Sequence, residues 1–160
     1  MRLFLLNYYL EQFRGTVYRQ VMFAEFERWS HQQIESGEGL TVESMCDFYK
    51  KLNELYYGPD MVVDDQIALE WARIPHFYTA FYVYKYATGF SSAVRISTDI
   101  LNGKEGACEA YLEFLKSGGS DYPLELLKKA GVDLTTSGPV DTCLSRFAQA
   151  LDEFEQLLSE

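Results

Sequence analysis

Histidine is scarce in this chain: 2 residues among 160, His31 and His76. Cysteine is scarce as well, with Cys46, Cys108 and Cys143 far apart in sequence and in no C-x-x-C pair. An odd, scattered set argues against a disulfide framework and for reduced thiols, so a cytoplasmic location is expected. With no histidine near any of the three in sequence, all three are expected to be buried and inert. Long apolar runs are missing; none approaches the roughly 20 residues that span a bilayer. The opening Met1-Arg2-Leu3-Phe4-Leu5-Leu6 starts like a signal peptide, but Asn7 ends its apolar run far short of a secretory core. Basic charge is in deficit: Lys plus Arg is 14 against 24 Asp plus Glu, a formal net charge of −10. No basic tail or stripe stands out in either half, which excludes nucleic acid and anionic membrane as main partners. The motifs G-x-S-x-G, G-x-x-x-x-G-K-[ST], G-x-G-x-x-G and H-E-x-x-H are absent. His31 and Glu35 stand four apart and could share a helix face, but two donors do not make a metal site, and they are read as surface decoration.

What is present is a hydrophobic content of 48%, enough for a packed core, and a length that fits a single segment over residues 1–160. The dominant period is helical. Leu3, Leu6, Leu10, Phe13, Val17, Val21 and Ala24 recur at steps of three and four, with Tyr18, Met22 and Phe26 beside them. Ser36-Gly37-Glu38-Gly39 ends this long helix. Thr41 is a good N-cap for a second helix with Met45, Phe48, Leu52, Leu55 and Tyr56 on its apolar face, closed by Gly58-Pro59. Asp64 and Asp65 cap a short helix through Trp71, which Pro75 ends just before His76. The spacing predicts one helix from Phe77 to about Leu101, then helices over about 104–116 and 124–130. A last helix starts at Pro139 with Leu144, Phe147, Leu151, Phe154 and Leu158 on one face. No strand is expected, and the fold class is all-α.

The unusual segment is Arg73-Ile74-Pro75-His76-Phe77-Tyr78-Thr79-Ala80-Phe81-Tyr82-Val83-Tyr84-Lys85-Tyr86-Ala87-Thr88-Gly89. On one helix Tyr78, Tyr82 and Tyr86 would stack along one side, with Tyr84 pointing elsewhere. Two readings stay open: a helix buried on most sides with phenols at its rim, or a row of neutral hydroxyl donors beside an imidazole. Such donors suit a developing anion, because they stabilise charge without being ionised themselves.

Ile74-Pro75-His76-Phe77-Tyr78, Phe81-Tyr82-Val83-Tyr84 and Tyr86-Ala87-Thr88-Gly89 closely resemble the C-terminal signature of the oligoendopeptidase F group in the thimet-oligopeptidase family of zinc metallopeptidases. The stretch from Phe13 to Glu27 resembles the long helix before that signature. Tyr56-Tyr57-Gly58, the 64–71 helix and Pro123 to Asp133 are similar to the family's tail in order and spacing. One departure is Lys85, where the signature has Gln. A larger one is that H-E-x-x-H and the later Glu ligand of such enzymes have no counterpart here. The resemblance therefore implies an all-helical C-terminal portion of a zincin-type catalytic domain, taken from a metalloendopeptidase that hydrolyses short peptides. Zinc is implied for the full-length enzyme, none for this chain, which is expected to be inactive alone. It implies His76, Tyr78, Tyr82 and Tyr84 as catalytic donors to the substrate carbonyl and its oxyanion, with Phe77 and Tyr86 binding substrate. Arg14 and Arg19 are read as pairing with Glu11 and nearby acids rather than holding a peptide carboxylate. The implied partners are an oligopeptide and the N-terminal part of the same enzyme. Without that part, the chain is expected to self-associate or to show a wide groove lined by Phe77, Tyr78 and Tyr82. The competing class is a non-catalytic acidic helical module that binds a protein partner.

Overall fold

A computed structural model describes residues 1–159; its regular elements are all helices, with no strand among the described residues. Its elements are α1 (Arg2–Phe13), a π-helical turn (Arg14–Tyr18), α2 (Arg19–Glu35), α3 (Val42–Tyr57) and two 3₁₀ segments (Asp65–Arg73 and Pro75–Tyr78). Then follow α4 (Tyr84–Leu101), α5 (Ala107–Ser117), α6 (Pro123–Lys129) and α7 (Gly138–Ser159). Among the described residues no helix is long and apolar enough to cross a membrane. The chain divides into two compact units: Arg14–Ala87, and Met1–Phe13 together with the chain from Thr88 onward.

In the second of these, α1 runs along α7, and Arg2 donates to Glu153 across them. Phe13 is fully buried, its ring edge-on to Phe90 at 4.9 Å and tilted against Phe147 at 5.4 Å. A smaller cluster of Ile96, Ala130 and Val132 gathers Ile100, Tyr111, Phe114, Leu127 and Leu134 around it. On α7 the buried positions are Pro139, Cys143 and Ala150, one step round from the expected Leu144 and Leu151, which are partly exposed. Small residues let helices approach closely, so the wider leucines sit at the margins of the contact. Of the three free thiols only Cys143 is buried; Cys108 is exposed, contrary to the expectation of three buried cysteines, because α5 buries no residue fully.

The Arg14–Ala87 unit is built on one aromatic core. Met22, Phe23, Phe26, Tyr49, Leu52, Ile74 and Val83 form its centre, with Trp29, Phe48, Trp71, Phe77 and Tyr82 packed around them. The π turn explains why the buried face of α2 differs from the extrapolated stripe. Gly15, Thr16 and Val17 are weak helix formers, and the wider i→i+5 turn they adopt shifts the phase of everything after it. Met22, Phe23 and Phe26 are buried, while Val21 and Ala24 are only half-buried. Helix α3 begins as expected. Thr41 Oγ1 accepts the Ser44 N–H at 3.1 Å and Ser44 Oγ accepts the Thr41 N–H, a reciprocal cap. Gly58 ends it at φ 77, where a Cβ would be strained. Tyr49, Leu52 and Asn53 are the buried residues of α3, and Leu55 is 71% exposed instead of facing the core.

The expected helix from Phe77 to Leu101 is shorter than its spacing suggested. Pro75 pushes Ile74 into an extended conformation (φ −83, ψ 106), one 3₁₀ turn follows, and α4 starts only at Tyr84. Between them the backbone turns irregular, with Phe81 at φ 54. From Phe77 to Tyr86 every residue except Ala80 and Lys85 is an aromatic or β-branched type that resists helix entry. Two anchors, Ile74 and Val83, are buried in the aromatic core on either side and hold the intervening loop.

Candidate functional site

The loop between Ile74 and Val83 leads His76, Tyr82 and Tyr86 into one cluster. The imidazole and the Tyr82 ring lie nearly parallel, 13° apart, with centroids at 5.4 Å. Tyr86 stands edge-on to both, 5.7 Å from His76 and 5.5 Å from Tyr82. The Tyr86 hydroxyl donates to the Tyr82 hydroxyl at 3.2 Å and lies 3.4 Å from His76 Nε2. Its hydrogen bond to Tyr82 lifts the Tyr86 pKa above the ordinary 10, so the phenol keeps its proton at neutral pH. Lys85 Nζ lies 5.2 Å over the Tyr82 ring, a cation on its π face.

Tyr78 does not join this cluster. It is 87% exposed, and the expected stack of Tyr78 on Tyr82 is absent because the helix that would have aligned them does not exist there. Tyr84, the first residue of α4, is half exposed. Phe77 packs into the core, edge-on to Phe23 at 5.6 Å and tilted on Phe26 at 5.4 Å. Phe77 and Tyr82 therefore both lean on the aromatic core, while Tyr78 stands clear of it.

A second polar cluster sits on Glu70, which sequence reasoning missed. Glu70 Oε1 accepts from Arg19 at 2.6 Å and also from Arg73, and Oε2 accepts the Tyr49 hydroxyl at 2.7 Å. Burial pushes the Glu70 carboxyl up, but the hydrogen bonds from Arg19 and Tyr49 and the two positive charges outweigh it and hold its pKa below 4.5. For Tyr49, burial and then Glu70 drive the phenol's pKa well above its ordinary value. Burial would lower the Arg19 pKa, yet the bond to Glu70 raises it overall, and its guanidinium also lies 4.7 Å over the Phe23 ring. Arg19 is thus a structural ion-pair partner, as expected, with Glu70 as the acid. The separation of 51 residues left no local signal for that pairing.

Glu27 is the other residue missed. Its carboxylate accepts the Phe81 backbone N–H at 2.6 Å, and the His31 ring lies 4.7 Å from that of Phe81. His31 is accordingly half-buried against a neighbour, not a free surface group.

Among the described residues no three His, Cys, Asp or Glu side chains converge as a metal site. The described side chains therefore do not fit a catalytic zinc.

Known proteins resemble this chain in sequence and fold. Residues 2–145 match the sequence model of peptidase family M3. The chain is 51% identical over 157 residues to Oligopeptidase PepF of Bacillus subtilis, covering 98% of this chain and 23% of that protein. It is 45% identical over 159 residues to Group B oligopeptidase PepB of Streptococcus agalactiae, covering 99% of the chain and 26% of that protein. The crystal structure of oligoendopeptidase-F from Enterococcus faecium superposes with a TM-score of 0.96 at 49% identity, over 99% of this chain and 30% of that one. The chain thus spans about a quarter of the length of the curated relatives it matches.

Proposed function

The chain belongs to peptidase family M3, and from that premise we propose that it is the C-terminal part of a zinc-dependent metalloendopeptidase that hydrolyses short peptides in the cytoplasm. The free thiols fit a reducing compartment. The observation that carries the reading is the His76–Tyr82–Tyr86 cluster, three rings in mutual contact with two hydroxyls 3.2 Å apart.

Peptide hydrolysis places negative charge on the carbonyl oxygen at the tetrahedral stage, and neutral donors fixed beforehand stabilise it without reorganising. Because Tyr86 donates to Tyr82, the proton of Tyr82 is left for an external acceptor. The pair acts as a short donor chain whose members polarise one another. His76, stacked on Tyr82, supplies a ring N–H beside it. Tyr84 and Tyr78 are assigned secondary roles at the substrate side, since neither belongs to the three-ring set. Phe77 keeps the loop anchored to the core, and Tyr86 serves the cluster rather than a substrate side chain. Zinc, in this reading, is held by polypeptide outside these 160 residues, which are inactive alone.

The test is a chimera. This chain replaces the corresponding segment of the Bacillus subtilis relative, and zinc-dependent cleavage of an oligopeptide is followed. The chimera is expected to be active. His76→Ala and Tyr82→Phe are expected to lower kcat by about 10²–10³, the cost of deleting one oxyanion donor. An inactive but folded chimera, or full kcat in both variants, overturns the reading.

A further inference from the structure

Phe81 is the one non-glycine residue at positive φ among the described residues, at φ 54. A bulky side chain avoids this region and stays there only where its surroundings over-determine it. Two contacts from α2 do so. Glu27 accepts the Phe81 N–H at 2.6 Å, and His31 packs its ring on that of Phe81. Glu27 and His31 are four residues apart, so they share a face of α2 and grip one residue of the loop between them. Glu27 itself is only 6% exposed. A carboxylate is costly to bury, and this one lies in the middle of α2, where it caps neither end of the helix. Phe81 immediately precedes Tyr82, so its backbone angles decide where the Tyr82 ring is carried.

We propose that Glu27 is a positioning residue for the His76–Tyr82–Tyr86 donor set, fixing Phe81 in the left-handed conformation and so aiming Tyr82 at His76. Its relevance to peptide hydrolysis rests on the function proposed above; its structural content does not. The bond it makes is to a backbone N–H one residue before Tyr82, so Glu27 acts on the chemistry only through geometry.

The experiment has two arms. In this chain, NMR follows the exchange of the Phe81 amide and the packing of the His76 ring on that of Tyr82. Glu27→Ala is expected to speed exchange at Phe81 and abolish the ring packing. Glu27→Gln, whose amide oxygen accepts the same bond, is expected to retain both. Glu27→Asp keeps the charge but withdraws the oxygen by one methylene, and is expected to loosen the rings in a chain that stays folded. Adding Phe81→Gly, which adopts φ 54 freely, to Glu27→Ala is expected to restore part of the ring packing. In the chimera, Glu27→Ala is expected to lower kcat by about 10- to 100-fold, as misplacement by an ångström does, with KM changed far less and Glu27→Gln close to wild type. Wild-type exchange and ring packing in the Ala and Asp variants, or a Gln variant no better than Ala, overturns the proposal. A dead wild-type chimera counts against the peptidase reading instead, and the NMR arm still decides the role of Glu27.

Discussion

Two polar clusters lie within the same unit and share the residue types of an active site, yet they are bonded differently. Around Glu70 every group is charged or paired. One carboxylate takes bonds from two guanidinium groups and a phenol, and Glu70 is almost wholly buried. Around His76 the mutual bonds are long, at 3.2 and 3.4 Å. Both oxygens of Glu70 are taken up by neighbours within the fold, which leaves little for a ligand. In the His76 cluster these polar contacts run among three rings, none of them to a carboxylate or guanidinium. A saturated network stabilises a fold, while an unsaturated one is free to stabilise a visitor.

The largest expected effect separates the two directly. Glu70→Ala leaves a half-buried Arg19 and a buried Tyr49 unpaired, and is expected to cost about 3–5 kcal/mol in urea unfolding. Glu70→Gln, which can still accept from Tyr49, is expected to cost less. Tyr82→Phe, by contrast, is expected to leave stability within about 0.5 kcal/mol while reducing catalysis in the chimera. If Tyr82→Phe destabilises as much as Glu70→Ala, the two clusters are of one kind and the distinction fails.

Acid titration sharpens the same contrast. The carboxyl of Glu70 has a lower pKa folded than unfolded, so its contribution is fully present above the ordinary 4.5 and is lost as pH falls through the depressed folded value. Urea midpoints are therefore expected to fall below pH 4.5, and to fall less in Glu70→Gln. Smaller again is Thr41→Ala, expected to cost about 1 kcal/mol through loss of the α3 cap, with no effect on the ring cluster. Smallest is Tyr78→Phe. An 87% exposed phenol outside the cluster is expected to matter for neither stability nor, on the scale of Tyr82→Phe, kcat. A kcat loss equal to that of Tyr82→Phe would move Tyr78 back into the donor set.

Local signals were legible wherever the chain's own neighbours decide the outcome. The Thr41 cap, the Asp64 cap that accepts from Gln66 and Ile67, the Pro75 break, and Gly131 closing α6 at φ 82 all follow from residues within one turn. The all-helical class follows from periodicity. What escaped were effects with distant causes. The π turn at Arg14–Tyr18 displaced the α2 face, and no apolar pattern announces such a phase shift. The loop at 79–83 looked helical because the acceptor of its Phe81 N–H, the Glu27 carboxylate, lies 54 residues earlier. The pairing of His76 with Tyr82 and Tyr86 was legible as a group of residue types. Its geometry was not, since a continuous helix would have aligned Tyr78 instead.

In the function proposed above, His76, Tyr82 and Tyr86 bind the tetrahedral stage of peptide hydrolysis better than they bind the peptide. Its most direct test is the affinity of a phosphinic peptide, a stable mimic of that stage, for the wild-type and Tyr82→Phe chimeras, set beside KM for the matching peptide. The expected result is a loss of phosphinate affinity that parallels the loss of kcat/KM, with KM nearly unchanged. Equal weakening of phosphinate and peptide, or no weakening of either, would contradict it.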